Sequence, residues 1–161
     1  MRIPSRQVPQ ADRLHVVVQV VEAVGSGAQT YQQIARFIDK VERQGRYYRL
    51  AAELLGFIRK VGSNRVSLTT RGYDLLSTQG EDRNRILRSA VAQIEVFERV
   101  LQLLDERPRG VTREELVAFI ETIVSPVGPT MMKRRVATIM EWLNDLGMIE
   151  ERSGKIFNKK L

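Results

Sequence analysis

Two stretches of the sequence follow one order of predicted elements, and this repeat constrains the fold more than any other feature. In the first, a helical pattern ends in the run Leu54–Ile58, which contains Gly56, and a short basic hairpin follows. In the second, about 90 residues later, the run Leu146–Ile149 contains Gly147 and also precedes a hairpin. A repeat at this period indicates two domains of one type. We predict a mainly α fold with small β-hairpins (α+β), divided into a flexible N-terminal arm, a first domain and a second domain at residues 1–11, 12–80 and 81–161.

Hydrophobic periodicity and turn residues place the elements of the first half. Thr30 is predicted to cap a helix, with Gln33 completing a capping box. Gly62-Ser63-Asn64 predicts the turn of a hairpin. The expected helices and hairpin lie at residues 12–24, 31–39, 43–58, 57–68 and 69–76.

The second half is predicted to begin with one long helix over residues 84–107, whose apolar stripe could pack on a second copy of the chain. Thr112 is expected to cap the next helix, with Glu115 completing a second capping box. The remaining helices and hairpin strands are expected at residues 112–123, 130–146, 148–151 and 155–158.

The charge indicates an acidic partner for the first half. The net charge is +7, and residues 1–80 hold 12 Lys/Arg against 6 Asp/Glu, whereas residues 81–161 hold 14 against 13. Of the 26 basic residues, 20 are arginine, whose planar fork matches phosphate and guanine edges. This surplus favours nucleic acid, with a merely solvated basic surface as the alternative.

Other classes of protein find little support in the sequence. There is no cysteine and only His15 as histidine, so disulfides, zinc fingers and cysteine nucleophiles are excluded. We find no Gly-x-Ser-x-Gly elbow, no phosphate loop with its lysine, and no carboxylate–lysine pattern of a restriction nuclease. We therefore expect no enzyme activity, metal or cofactor. No signal peptide and no apolar run of about 18 residues is present, so a cytoplasmic protein without membrane contact is expected.

Three short strings make the first half resemble the winged-helix family of DNA-binding domains, namely Leu55-Gly56-Phe57-Ile58, Val66-Ser67-Leu68-Thr69 and Arg71-Gly72-Tyr73-Asp74-Leu75-Leu76. In that family a leucine–glycine–apolar–isoleucine string ends the recognition helix, and a leucine–threonine–x–x–glycine string follows the hairpin, or wing. The second string is missing after the second hairpin, so the resemblance is more specific for residues 12–76 than for 84–158. It implies two winged helix-turn-helix domains in tandem.

The run Val41–Leu54 is similar to winged-helix segments attached to prokaryotic restriction-type endonucleases and related defence proteins. This resemblance implies a DNA-recognition part that works beside a nuclease domain or subunit.

The third predicted helix is the best candidate for contact with DNA. A helix about 10–12 Å wide fits the major groove, where arginine reads guanine and glutamine reads adenine. Gly45 is expected to let the backbone approach a phosphate, and the start of the second helix offers amides to another phosphate. The predicted DNA-binding residues of the first domain are Thr30, Tyr31, Gln32, Gln33, Arg43, Gln44, Arg46, Tyr48, Arg49, Lys60, Asn64, Arg65, Ser67 and Arg71.

Less charge is available on the corresponding elements of the second domain, where a dimerisation or scaffold role is an equal alternative. Its predicted DNA-binding residues are Thr130, Lys133, Arg134, Arg135, Arg152 and Lys155. In the first domain, Tyr47 or Tyr48 could instead face the core, and Glu53 could pair with Arg46 or Arg49 at helical spacing.

These observations predict sequence-specific binding to double-stranded DNA, as the recognition part of a restriction or defence system. The alternatives are a stand-alone transcription regulator that forms a homodimer through residues 84–107, and a protein-interaction scaffold.

Overall fold

The structure is a computed structural model that describes residues 1–159. It is mainly helical with small antiparallel sheets, which confirms the α+β class. A short 3-10 helix, Ser5–Gln7, is followed by α1 (Leu14–Gly25), α2 (Tyr31–Phe37), α3 (Glu42–Leu54), β1 (Ile58–Gly62), β2 (Arg65–Leu68), α4 (Thr70–Leu76), α5 (Gly80–Ala92), α6 (Glu95–Asp105), β3 (Val111–Thr112), α7 (Arg113–Ile123), α8 (Pro129–Asp145), β4 (Ile149–Arg152) and β5 (Lys155–Asn158).

The chain forms two compact units. The first unit is Pro9–Ala90, and the second unit combines Met1–Val8 with the chain from Val91 onward. The prediction of a flexible arm at residues 1–11 was wrong, because Ile3 and Val8 are buried and Ile3 bonds to the backbone of the second unit. The arm was predicted from its polar and proline residues, whereas the apolar side chains of Ile3 and Val8 are buried against residues far along the chain.

The first unit packs α1, α2 and α3 around one core that includes Val17, Ile34 and Leu55. Strands β1 and β2 pair as an antiparallel hairpin, with a register shift between Lys60 and Gly62. The amide of Val66 on β2 donates to the carbonyl of Gln29, 2.9 Å away, so the hairpin also pairs with the segment that leads into α2.

The second unit packs α6, α7 and α8 beside a three-stranded sheet in the order β3-β5-β4. Its core includes the rings of Phe97 and Trp142, which stack with centroids 5.6 Å apart. Strand β3, where Val111 pairs with Ile156, is absent from the sequence prediction because two residues carry no recognisable alternation.

Residues 84–107 form two helices, so the prediction of a single long helix was wrong. The chain turns at Gln93 and Ile94, and Ile94 is buried in an extended conformation without a side-chain cap. No proline or glycine marks this break in the sequence. Most of the apolar stripe, including Leu87, Val91 and Val100, is buried, whereas Leu101 is half-buried.

Matching backbone features relate the two units. Thr30 and Thr112 each begin a helix with the predicted capping box. Gly56 and Gly147 follow the third helix of each unit at φ 78° and 66°, a left-handed conformation in which glycine carries no steric penalty. Each unit therefore repeats the order of helix, capped helix, helix, glycine and hairpin that the sequence predicted.

Candidate nucleic-acid interface

Helix α3 buries one side and exposes the other. Gly45, Tyr48, Ala51 and Ala52 are buried at helical spacing, whereas Arg43, Gln44 and Arg46 are exposed near its start. This division follows from the 3.6-residue period, which sets the small and aromatic residues against α1 and α2.

Gly45 is the point at which α2 and α3 approach each other. A Cβ at this position would lie 2.7 Å from both the carbonyl oxygen of Tyr31 and the Cβ of Ala35. The prediction that Gly45 lets the backbone approach a phosphate was wrong, because its missing side chain makes room for α2.

Arg46 reaches from α3 across to Tyr31 on α2. Its Nη2 donates to the Tyr31 hydroxyl at 2.6 Å, and its guanidinium carbon lies 4.3 Å from the centroid of the Tyr31 ring. The hydrogen bond to Tyr31, followed by the electrostatic effect of the same hydroxyl, raises the pKa of Arg46 above its ordinary value. The guanidinium is exposed and charged, and its position is fixed by a cation–π and a hydrogen-bond contact.

Asn64, at the turn of the hairpin, joins three elements. Its Oδ1 accepts from the amide of Tyr31 at 3.0 Å and from Nη1 of Arg49 at 3.1 Å, and its Nδ2 donates to Oε1 of Gln32 at 2.8 Å. Its φ of 51° is left-handed, a conformation that asparagine tolerates better than most residues. These bonds hold the hairpin turn against the beginning of α2 and against α3.

Arg49 is enclosed by this arrangement. Its side chain is 15% exposed, its Nε lies 3.7 Å from Oε2 of Glu53, and among residues 1–159 that buried Nε has no hydrogen-bond partner. The predicted pairing of Glu53 is therefore confirmed, with Arg49 as the partner. The prediction that Arg49 faces DNA was wrong, because its enclosed side chain joins α3 to Asn64.

The start of α2 is already occupied by internal bonds. The amide of Tyr31 donates to Asn64, the amide of Gln33 donates to Oγ1 of Thr30 at 3.2 Å, and the amide of Thr30 donates to Oε1 of Gln33 at 3.2 Å. The amides of Thr30, Tyr31 and Gln33 are therefore already bonded within the unit, which weakens the prediction of a phosphate site at residues 30–33.

Two further residues that were predicted to face DNA have structural roles. Tyr48 is 1% exposed and its hydroxyl donates to Oδ1 of Asp12 at 2.8 Å. Burial, then the bond to Asp12, raises the pKa of Tyr48, so it stays neutral in the core. Arg71 is half-buried and its Nη1 donates to the carbonyl oxygen of Leu55 at 2.9 Å, which caps the end of α3. Both were misassigned because their partners lie far away in the sequence.

The exposed bases of α3 and the hairpin remain available to a ligand. On α3, the Nε of Arg43 donates to the hydroxyl of Tyr47 at 2.9 Å, one turn along the same helix. Ser67 is half-buried opposite Arg59, which the sequence prediction omitted and which is exposed together with the rest of β1 after Ile58. We call the exposed bases of these elements the basic surface, which consists of Arg43, Arg46, Arg59, Lys60 and Arg65.

The second unit offers fewer free bases on its third helix and hairpin. Thr130, Lys133 and Arg134 are exposed on α8, but Arg135 is 4% exposed and its Nη1 donates to the carbonyl oxygen of Ser5 at 2.6 Å. The prediction that Arg135 faces DNA was therefore wrong.

On the hairpin of the second unit, the arginine is paired and Lys155 is exposed. The guanidinium of Arg152 lies 4.3 Å from the Phe157 ring centroid and 3.4 Å from Oε1 of Glu150. Arg113 pairs with Glu151 in the same region at 3.7 Å. These acids offset the basic residues that the sequence prediction counted.

Asn64→Gly is expected to destabilise the first unit by about 1–2 kcal/mol, because glycine keeps the left-handed turn but removes three side-chain hydrogen bonds. Urea unfolding followed by tyrosine signals reports on this unit, since every tyrosine of the sequence lies within Pro9–Ala90. Ser153→Gly is the matched control, as Ser153 has φ 52° in the turn of the other hairpin and is exposed. An Asn64→Gly protein as stable as the native one would contradict the joining role of Asn64.

Comparison with known proteins gives one family. Residues 16–150 match the family described as a domain of unknown function (DUF7226), and the chain belongs to this family. The matched range begins in α1 and ends in β4, so the family is defined by both units together. No curated protein and no solved structure matches the chain.

The described part of the chain, residues 1–159, was also compared with the features of membrane and metal-binding proteins. In this range no helix is both long enough and apolar enough to cross a membrane. In the same range no group of three or more His, Cys, Asp or Glu side chains is arranged to hold a metal ion.

Proposed function

We propose that this protein binds double-stranded DNA through the basic surface of its first unit, and that both units are winged helix-turn-helix domains. The observation that carries the proposal is the position of the hairpin turn, which Asn64 holds against α2 and α3. This arrangement places the hairpin beside α3, which supports contact of both elements with the same DNA duplex. Glu53 is the one acidic residue between Arg43 and Arg71, and Arg49 offsets its charge.

In the proposed complex the two parts of the basic surface have different tasks. The start of α3 lies in the major groove, where Arg43, Gln44 and Arg46 are able to reach base edges. The exposed hairpin bases Lys60 and Arg65 contact the phosphate backbone, which contributes affinity without reading the sequence. The second unit, with its paired hairpin arginine, contributes at most backbone contacts through Lys133, Arg134 and Lys155.

We extend the proposal to a cytoplasmic recognition module of a restriction or defence system, because residues 41–54 resemble the recognition segments of such proteins. A nuclease domain or subunit would then supply the cleavage. A homodimer through residues 84–107 stays an alternative with less support, because most of the apolar stripe of that segment is buried.

Binding to a random-sequence duplex is expected to weaken about 500-fold between 50 and 200 mM salt, because all five bases of the basic surface contact phosphates and release counterions when no specific base is read. A fluorescence titration of labelled duplex at several salt concentrations measures the slope. Replacing Arg65 by alanine is expected to reduce that slope by about one.

The matched control is the double variant Lys133→Ala and Arg134→Ala, which removes two exposed bases from α8 and is expected to leave most of the salt dependence in place. Absence of binding at low salt would refute the proposed function. An equal loss of slope in the control and in a hairpin double variant, Lys60→Ala with Arg65→Ala, would move the interface away from the basic surface.

A further inference from the structure

The arginines near the start of α3 are not equivalent. Arg43 bonds to Tyr47 on its own helix, and Arg49 is enclosed between Asn64 and Glu53. Arg46 is exposed and is held by a residue of another helix, Tyr31. It is therefore the exposed guanidinium of α3 whose position is set by the packing of two helices.

Tyr31, which holds Arg46, is itself held by contacts with the hairpin turn and with α3. The amide of Tyr31 is bound by Asn64, and the carbonyl oxygen of Tyr31 abuts Gly45, the residue before Arg46. The close approach of the helices at Gly45 brings the Tyr31 ring within reach of the Arg46 guanidinium. A guanidinium held in this way loses little conformational entropy when it binds a ligand.

We infer that Arg46 is the specificity-determining residue of the proposed interface, that it reads a guanine in the major groove, and that Tyr31 is its positioning residue. This inference rests on the proposed function. The guanidinium is a planar fork with several N–H donors, and the bond to Tyr31 uses one of them. The donors that remain match the O6 and N7 acceptors of guanine, a pairing that no other base offers in the same form.

The hairpin bases provide the contrast. Lys60 and Arg65 are exposed on a hairpin that has a register shift beside its turn. A phosphate accepts hydrogen bonds from many directions, so contact with it does not require a side chain in one fixed orientation. We therefore assign to Lys60 and Arg65 affinity that is the same for every DNA sequence, and to Arg46 the discrimination between bases.

Selection of bound duplexes from a random-sequence pool, with the full chain, tests the inference. For the native protein the selected duplexes are expected to hold a guanine at one position for each bound copy. Arg46→Ala and Arg46→Lys should lower the preference for that guanine by about tenfold to a hundredfold and leave the preferences at other positions unchanged. The lysine variant keeps the charge but lacks the fork. Arg65→Ala is the control and should weaken all duplexes alike.

Two further measurements separate reading from folding. Replacing the selected guanine by 7-deazaguanine removes the N7 acceptor, so the native protein should lose affinity while Arg46→Ala should bind both duplexes equally. Tyr31→Phe keeps the ring and removes the hydroxyl that holds Arg46. It should lower the guanine preference about threefold to tenfold, with an unchanged urea midpoint and an unchanged salt slope.

The outcomes distinguish the two claims. If the native protein enriches a sequence and Arg46→Ala enriches the same one to the same extent, the role of Arg46 is overturned while DNA binding stands. If the native protein retains duplexes but prefers no base at any position, the role of Arg46 is likewise overturned while DNA binding stands. If the native protein retains no duplex at low salt, the proposed function is itself overturned.

Discussion

Gly72→Ala is expected to destabilise the first unit by about 3 kcal/mol or more, because overpacking against a backbone atom forces the chain apart. A Cβ on Gly72 would lie 2.2 Å from the carbonyl oxygen of Phe57. That carbonyl already accepts from the amide of Thr69 at 3.0 Å, so it cannot move without breaking the link between β1 and the start of α4. The expected result is a large fall in the urea midpoint of the tyrosine signals.

Gly62→Ala is the matched control for this change. Gly62 lies in the hairpin of the same unit, and the nearest atom to a Cβ there is the Cβ of Arg65 at 3.9 Å, an ordinary contact. The control is expected to alter stability by less than about 1 kcal/mol. Equal stability of the two variants would show that Gly72 is not needed for the approach of α4 to β1.

The same contacts give a physical reason for the strings that resemble the winged-helix family. Thr69 accepts from the amide of Gly72 at 3.1 Å and donates to the carbonyl oxygen of Gly56 at 2.5 Å. Arg71 donates to the carbonyl of Leu55. In the first unit the leucine–glycine string and the threonine–x–x–glycine string are therefore two sides of one contact.

Local features of the fold were predictable from the sequence. The capping boxes at Thr30 and Thr112 were predicted correctly because their partners lie three residues away. The turns at Asn64 and Ser153 follow from short polar runs between extended segments. Strand β3 and the break at Ile94 were missed, because each depends on where distant apolar residues pack and not on the residues beside it.

The candidate site was predictable in its location but not in the role of each residue. Charge counting placed the surplus near α3 and the hairpin, where the exposed bases lie. It could not separate Arg46, which is exposed, from Arg49 and Arg135, which are enclosed by contacts with Asn64 and Ser5. A guanidinium satisfies carbonyls and amides as readily as phosphates, so its role is decided by partners that lie up to 130 residues away.

Removal of residues 1–8 is expected to destabilise the second unit by about 3–6 kcal/mol, because two fully buried apolar side chains and their backbone bonds are lost together. Ile3 is 1% exposed and Val8 is 0% exposed. The amide of Ile3 donates to the carbonyl of Ile123 at 2.7 Å, and the amide of Ser125 donates to the carbonyl of Ile3 at 2.9 Å. The carbonyl of Ser5 is also the acceptor for the buried guanidinium of Arg135, which would lose this partner.

Trp142 makes this expectation measurable. It is the one tryptophan of the sequence and is 0% exposed in the core of the second unit, so its fluorescence in urea follows that unit. Ile3→Ala tests the same contact with one change and is expected to cost about 2–4 kcal/mol. Arg2→Ala, at an exposed neighbouring residue, is the control and should leave the midpoint unchanged. Since a flexible arm could be removed at no cost, an unchanged Trp142 transition after truncation would restore the original prediction for these residues.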